Sequence, residues 1–173
     1  MNTYDLVIVG AGPSGIFAAY ELQKHNREAR ILMIEKGRSI EKRSCPKRKT
    51  GVCVNCNPCN ITTGFSGSGS FSDGKLSIND HGLVGGNLAD YIGLPRYREI
   101  LAYTDGIYLE HGADERVYGT DAPQILEEIR SKAFQANLHF IESKVRHLGT
   151  EKAYHIYAHI QKTLEALGIE MWF

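Results

Sequence analysis

The glycines near the amino terminus have the spacing of a loop that binds phosphate. Residues Gly10 to Gly15 read Gly-Ala-Gly-Pro-Ser-Gly, a G-x-G-x-x-G pattern. Gly10 permits a tight turn, Gly12 lets the backbone approach a pyrophosphate without a Cβ in the way, and Gly15 allows a helix to pack close to a strand. Pro13 and Ser14 lie where that helix begins, and its unpaired N–H groups attract phosphates. The pattern therefore predicts a pyrophosphate site.

An acidic residue follows at the distance expected for a ribose contact. Glu35 lies 20 residues after Gly15, where a carboxylate can accept both hydroxyls of an adenosine ribose. The same charge repels a 2′-phosphate, which argues against NADP in this pocket. Lys36 comes next and adds a positive charge that can neutralise a pyrophosphate. Spacing alone leaves both NAD and FAD open as the bound dinucleotide.

The cysteines form a cluster, since all four fall between residues 45 and 59: Cys45, Cys53, Cys56 and Cys59. The last three are spaced C-x2-C-x2-C and Cys45 can supply a fourth ligand, so a metal centre is the leading interpretation. Zinc and an iron–sulfur cluster both stay open, although the ferredoxin pattern needs a further cysteine where this chain has Thr63. Redox thiols that exchange electrons with a flavin, or four reduced thiols without a ligand, are the alternatives.

A run of basic residues surrounds the first cysteine: Lys36, Arg38, Lys42, Arg43, Lys47, Arg48 and Lys49. Such a run lowers the pKa of nearby thiols, and it can also neutralise the pyrophosphate of a cofactor or contact a nucleic acid. A solvated basic loop is its commonest explanation.

A second segment rich in small residues runs from Gly64 to Lys75. Gly67, Gly69 and Ser70 allow the backbone to lie directly against a flat ligand or an anion. Lys75 adds a positive charge where a ligand gathers negative charge. We predict that these residues bind a cofactor, and a flexible surface loop is the alternative.

Apolar periodicity places the first motifs on a β-α-β unit. The run Tyr4–Val9 is a short buried strand, and residues 14–25 repeat with helical spacing up to Asn26, a favourable left-handed cap. The run Arg30–Glu35 is a second buried strand. Two buried strands joined by a helix predict a right-handed crossover in a parallel sheet. We therefore expect an α/β, Rossmann-like FAD- or NAD(P)-binding fold.

The rest of the chain divides into three predicted segments. Residues 36–93 lack sustained periodicity and form a Cys- and Gly-rich insertion, which at this length is usually functional. Residues 94–150 form a helical insertion. Residues 151–173 return to the dinucleotide-binding core with a helix and a final strand.

Three further helices are predicted in the second half of the chain. Two cover residues 95–110 and 122–137, and the second of them has Asp121 as its expected cap. The last begins at a Thr150 cap and ends at Gly168, where a residue without Cβ can adopt the left-handed conformation.

These motifs together resemble a known protein family. A fingerprint that starts at residue 10 and continues to Glu-Lys-Gly at 35–37 resembles flavoproteins of the glutathione-reductase type. The chain is also similar to a family of FAD-dependent dehydrogenases that are distant relatives of geranylgeranyl-reductase-like flavoproteins. That similarity lies in Cys45-Pro46 and in residues 53–59, 64–76 and 146–151.

The resemblance implies roles for several residues. The glycine loop and Glu35 would hold the ADP half of FAD, and residues 64–75 would lie near the isoalloxazine or the substrate. Arg146 and His147 would contact a ligand, although they can equally form a surface pair. The family pattern leads us to expect Gly-Gly-Ala-Gly where this chain has Ser66-Gly67-Ser68-Gly69, so Ser66 can alter contacts to the ligand.

We therefore predict an FAD-dependent oxidoreductase, or its amino-terminal part, that acts on a small-molecule substrate with NAD(P)H as electron donor. The sequence identifies no catalytic residue. A module that holds a dinucleotide and a metal without turnover is the alternative from another class. An NAD-dependent dehydrogenase is the alternative among enzymes.

Composition and charge limit the remaining possibilities. The 173 residues are 42% hydrophobic and 23% charged, which is typical of a globular chain with one sizeable core. Twenty basic residues balance twenty acidic ones, so we expect neither a nucleic acid nor a membrane surface as a partner. No apolar run approaches the roughly 20 residues that span a bilayer, and no leader-like start is present, so we expect a cytoplasmic protein. Flavoproteins of this type use a later Gly-Asp pair that this chain lacks, and we expect the amino-terminal part of a longer protein.

Overall fold

The structure is a computed structural model that describes residues 3–80, 87–120 and 122–173. The described residues form two compact units. The first consists of the residues up to Ser72 together with Thr150–Phe173, and the second lies between Asp73 and Gly149.

The secondary structure of the described residues comprises six strands and six α-helices. The strands are β1 (Leu6–Val9), β2 (Ile31–Ile34), β3 (Lys75–Ser77), β4 (Val117–Tyr118), β5 (Val145–His147) and β6 (Glu170–Trp172). The helices are α1 (Pro13–His25), α2 (Lys47–Thr50), α3 (Leu88–Ile92), α4 (Leu94–Glu110), α5 (Pro123–Gln135) and α6 (Thr150–Ala166). Short 3-10 turns cover Ile40–Lys42 and Gly69–Phe71. No helix in the described ranges has both the length and the apolar character needed to cross a membrane.

The first unit is built on a three-stranded parallel sheet with the order β1-β2-β6. Leu6 pairs with Ile31, and Leu32 pairs with Glu170, so β2 is the central strand. The core is formed by apolar residues of α1, β2 and α6: Ile16, Ala19, Ile31, Leu32, Met33, Ala153, Ile156, Ile160 and Leu164. This arrangement confirms the predicted α/β fold class and the parallel β-α-β unit.

Close packing of α1 on the sheet depends on Gly15. A Cβ at this position would lie 2.1 Å from the carbonyl oxygen of Gly10 and 3.2 Å from Cγ2 of Ile8 on β1. Gly10 has a φ of +105°, a left-handed conformation that favours glycine. The turn and the close approach that the sequence predicts for these glycines are both present.

The second unit contains an antiparallel sheet with the order β3-β5-β4, beside helices α3 to α5. Arg146 on β5 is buried, and its guanidinium donates two hydrogen bonds to the carboxylate of Asp105 on α4, at 2.5 and 2.6 Å. It also donates to the carbonyl of Asp114. Arg146 is thus not the surface residue that the sequence offers as one alternative, because its donors hold α4 to the sheet. Its contact with a ligand stays a prediction.

The chain passes between the units at Ser72–Asp73 and at Gly149–Thr150. The segment boundaries that the sequence predicts after residues 93 and 150 stay predictions. The predicted insertion over 36–93 also contains short elements of regular structure: Ile40–Lys42, α2, Gly69–Phe71, β3 and α3. These are too short to produce the apolar periodicity that reveals a longer helix or strand.

Helix ends agree with the sequence in one place and differ in another. Gly168 follows α6 with a φ of +87°, as predicted. Asn26 has a φ of −138°, so the predicted left-handed cap is wrong. Its side-chain oxygen instead accepts the N–H of Glu28 at 3.2 Å, which stabilises a local turn. The predicted cap Asp121 lies outside the described residues, as does the side chain of Thr150.

The packing of the glycine loop predicts different effects of two alanine substitutions on stability. Gly15→Ala should lower the free energy of unfolding by roughly 2 kcal/mol or more, because the new methyl group meets a backbone oxygen that has little room to move. Gly12→Ala should leave stability nearly unchanged, since a Cβ there meets no described atom within 4 Å and its φ is −75°. Urea unfolding followed by circular dichroism measures both. Equal unfolding midpoints for the two variants would contradict the packing argument.

Candidate functional site

The glycine loop presents open backbone at the amino end of α1. A Cβ added to Gly10 or Gly12 would meet no described atom within 4 Å. Helix α1 begins at Pro13, and among the described residues no side chain caps its amino terminus. The first turn therefore offers N–H groups and a partial positive charge to an anion. The space above Gly12 is the kind of cradle that a pyrophosphate needs.

The carboxylate of Glu35 binds three backbone amides around this loop. Oε2 accepts the N–H of Ala11 at 2.9 Å, and Oε1 accepts the N–H groups of Gly37 at 2.9 Å and Gly64 at 3.0 Å. A carboxylate has about four acceptor positions. The described contacts occupy three of them and leave room for one ribose hydroxyl at Oε2, where the sequence predicts two. Glu35 therefore joins three loops, and its contact with a ribose stays a prediction.

The glycine-serine segment lies directly against the glycine loop. The N–H of Ser66 donates to the carbonyl of Ala11 at 2.7 Å, and a Cβ on Gly67 would lie 3.9 Å from Cα of Gly12. Gly69 lies against α6, where its Cβ would be 3.1 Å from the hydroxyl of Tyr157. The structure thus brings Gly67 next to the phosphate-binding motif, although these residues are far apart in sequence.

Arg43 holds this segment in place from inside the first unit. The residue is only 4% exposed. Its nitrogens donate to the carbonyls of Asn60 at 2.9 Å, Ile61 at 2.7 Å and Phe65 at 2.6 Å. A further bond of 3.1 Å reaches the hydroxyl of Ser70. One side chain therefore satisfies carbonyl groups that lie outside any helix or sheet ladder.

The environment of Arg43 has two opposing effects on its pKa. Burial lowers the pKa of Arg43 to about 10, and the negative charge of Glu35 acts in the opposite direction. The guanidinium therefore stays protonated at neutral pH. The prediction of a uniformly solvated basic run is wrong for this residue, whereas Lys42, Lys47, Arg48 and Lys49 are exposed.

Replacing Arg43 should destabilise the first unit. Arg43→Gln leaves several buried carbonyl groups without a donor, so the free energy of unfolding should fall by roughly 2–4 kcal/mol. Lys42→Gln is the matched control, since it removes one positive charge from the exposed neighbouring position. Thermal and urea unfolding of both variants measure the difference. A control that unfolds as readily as Arg43→Gln would show that net charge rather than hydrogen bonding matters.

The four cysteines do not assemble into the predicted metal centre. All of them lie in the described part of the chain and are free thiols, with Cys53 and Cys59 exposed. Within the described residues, no three His, Cys, Asp or Glu side chains converge closely enough to hold a metal ion. Cys45 precedes α2, whereas the other three follow it in an irregular segment. The cysteines therefore fit neither zinc nor an iron–sulfur cluster here.

One of these thiols has a distinct environment. Cys59 has a pKa below its ordinary value, chiefly because the backbone N–H groups of Ile61 and Thr62 favour the thiolate, with smaller effects from the Thr62 hydroxyl and from Arg43. A lower pKa increases the fraction of thiolate at neutral pH, and the thiolate is the reactive form.

The environment of Cys59 predicts how fast its thiol reacts. Thr62→Val removes a hydroxyl that helps to lower the pKa of Cys59, so alkylation of Cys59 by iodoacetamide at pH 7 should slow by roughly two- to fivefold. Mass spectrometry of each cysteine peptide over time gives the rates. At pH 10 the thiol of both proteins should be largely ionised, and the difference should shrink. An unchanged rate at pH 7 would show that Thr62 does not stabilise the thiolate.

Lys75 and His147 belong to the second unit and pair with each other across β3 and β5. The ammonium group of Lys75 lies 2.9 Å from the carboxylate of Asp73, and both side chains are exposed. The ring of His147 packs edge-on against Tyr118, with the ring centres 6.3 Å apart. Their predicted contacts with a ligand stay predictions.

A cleft in the first unit contains residues that the sequence does not single out. It has a volume of about 430 Å³ and lies between the basic segment and α6. Tyr154 and His155 of α6 line it. The apolar spacing of α6 is a signal only for its buried face, so these polar-face residues are recognised only in three dimensions.

Comparisons with known proteins bear on the first part of the chain. Residues 8–65 match the family model described as an NAD(P)-binding Rossmann-like domain. No curated protein matches the chain. Among solved structures, the chain is similar to the L-amino acid deaminase from Proteus vulgaris, with 16% sequence identity and a TM-score of 0.40. That match covers 99% of this chain and 40% of the deaminase chain. With the observed parallel sheet, the family match shows that this chain contains an NAD(P)-binding Rossmann-like domain.

Proposed function

We propose that this chain is the dinucleotide-binding part of an FAD-dependent oxidoreductase. The observation that carries the proposal is the open glycine loop at the start of α1, which the glycine-serine segment faces at Gly67. The open space beside Gly10 and above Gly12 leaves room for a pyrophosphate at the start of α1. A second glycine segment at this position is the further support.

Different residues of the first unit would bind the pyrophosphate and the ribose of the ADP moiety. The backbone of Gly12 and the first turn of α1, at Pro13 and Ser14, would face the pyrophosphate. Glu35 would accept one ribose hydroxyl at Oε2, and its charge disfavours a 2′-phosphate. Lys36 follows Glu35 and would add a positive charge near the phosphates.

The glycine-serine segment would form the second side of the cofactor site. Gly67 and Gly69 allow backbone to approach a flat ring system. The Ser70 hydroxyl accepts bonds from Ser66 at 2.7 Å and from Arg43 at 3.1 Å, so its role is to fix the segment. When bound, FAD supplies the hydride or electron transfer, and the protein supplies orientation and electrostatics. The expectations of a cytoplasmic location and of NAD(P)H as donor remain part of this proposal.

An NAD-dependent dehydrogenase is the second candidate, because the matching family is described as NAD(P)-binding. In that case the same loop and the same carboxylate would hold the ADP moiety of NAD, and the ligand that binds most tightly decides between the two candidates.

Equilibrium titration of the purified chain tests the proposal. FAD should bind with quenching of its fluorescence, and NAD⁺ and NADP⁺ should compete weakly. Gly12→Ala should weaken FAD binding about tenfold or more, since the methyl group occupies the space proposed for the pyrophosphate. Gly106→Ala is the matched control, because its Cβ meets no described atom within 4 Å and lies in α4.

The outcomes separate the candidates. Tighter binding of NAD⁺ than of FAD would replace the proposed cofactor and support the dehydrogenase. If no dinucleotide bound to a chain whose circular dichroism shows it to be folded, the proposal would be wrong. Equal weakening by both alanine variants would show that the loop does not contact the ligand.

A further inference from the structure

The cleft of about 430 Å³ in the first unit has a definite chemical character. Its walls include a thiol, two exposed cations, two aromatic rings and an imidazole: Cys45, Arg48, Lys49, Phe71, Tyr154 and His155. A space of this volume lies within the range of small-molecule sites, which begin at about 300 Å³. The lining therefore decides which class of molecule fits.

Positive charge dominates this lining. Arg48 and Lys49 lie on α2, and the buried Arg43 guanidinium adds a third positive charge. Glu151 is the carboxylate among the lining residues. Within the described residues, no acidic side chain forms an ion pair with Arg48 or Lys49. The two exposed cations can therefore bind an anionic group that enters from solvent.

The remaining lining suits an apolar or aromatic body. The guanidinium carbons of Arg43 and Arg48 lie 4.5 and 5.4 Å from the centre of the Phe71 ring. The rings of Tyr154 and His155 pack edge to face, with their centres 5.3 Å apart. Aromatic and guanidinium surfaces favour flat apolar groups through stacking and cation–π contacts.

The cleft and the candidate cofactor site share one short segment. Ser70 and Phe71 line the cleft, and they belong to the same 3-10 turn as Gly69. Just before this turn, Gly67 faces Gly12 of the glycine loop. A molecule in the cleft would thus contact the same short segment that would contact the cofactor through Gly67.

We propose that this cleft binds a small organic anion, with its acidic group on Arg48 and Lys49 and its apolar body against Phe71 and Tyr154. As an assignment of the substrate class, the inference rests on the proposed function. As a binding site for organic anions, it stands on the cleft alone.

Three probes of similar shape test the cleft. The carboxylate 3-phenylpropionate, phenyl phosphate and the uncharged 3-phenylpropionamide are titrated against the full chain at low ionic strength. Isothermal calorimetry gives the affinities, and amide chemical shifts locate the site. At least one anion should bind about tenfold more tightly than the amide, with shifts at Phe71, Tyr154 and His155. The two anions show whether the site prefers carboxylate or phosphate.

A pair of double variants tests the assigned cations. Arg48→Gln with Lys49→Gln should weaken anion binding about tenfold or more and leave the amide unaffected. Lys42→Gln with Lys47→Gln is the matched control, since it removes the same charge from exposed positions outside the lining. Bound anion should also slow the alkylation of Cys45, which lines the cleft, and leave the alkylation rate of the exposed Cys53 unchanged.

The outcomes for the cleft can be distinguished from the outcomes for cofactor binding. Equal affinity for anions and amide, or equal weakening by both double variants, would overturn the cleft assignment. FAD binding without anion binding would sink this inference and keep the proposed function. If the chain bound the anion but no dinucleotide, the cleft assignment would hold and the proposed oxidoreductase function would be wrong.

Discussion

The guanidinium of Arg43 is the group on which both candidate sites depend. It satisfies the carbonyls of Asn60, Ile61 and Phe65 in a stretch of chain that has no ladder of its own. Burying a cation is costly unless hydrogen bonds and nearby negative charge compensate. Here the carbonyl oxygens and Glu35 provide that compensation. Without Arg43, few hydrogen bonds would hold the conformation of the segment that lies against the glycine loop and continues to Phe71.

Arg43 and Glu35 act on the backbone in complementary ways. Arg43 donates to carbonyl groups, and Glu35 accepts amide groups from three separate loops, including that of Gly64. A helix or a sheet pairs its own donors with its own acceptors, whereas an irregular loop needs side chains to do so. Two opposite charges thus replace regular secondary structure around the glycine loop. This is why an irregular segment can form a wall of a site.

Sequence reasoning recovers the parts of the molecule that depend on local pattern. The apolar runs of β1 and β2, the helical spacing of α1 and the glycine pattern lead to the parallel β-α-β unit, because each is a property of neighbouring residues. The burial of Arg43 is not a local property. It is one cation in a basic run, and the carbonyls that bind it lie 17 to 22 residues further along the chain. The cleft is likewise lined by residues of α2 and α6, which are far apart in sequence. The cysteine spacing alone does not reveal that Cys45 lines this cleft.

Ser66 has a left-handed φ of +72° at a position where glycine would be free of strain. For a residue with a Cβ this conformation costs roughly 1 kcal/mol. The Ser66 hydroxyl donates to Ser70 at 2.7 Å and lies 3.4 Å from the Arg43 guanidinium, which offsets that cost. Tolerance of serine at position 66 is therefore conditional on the identities of residues 43 and 70. Among homologues, serine at position 66 should therefore occur together with serine at position 70, and glycine at position 66 leaves position 70 free to change. Arginine at position 43 should be kept in both cases, because it also binds the carbonyls of Asn60, Ile61 and Phe65.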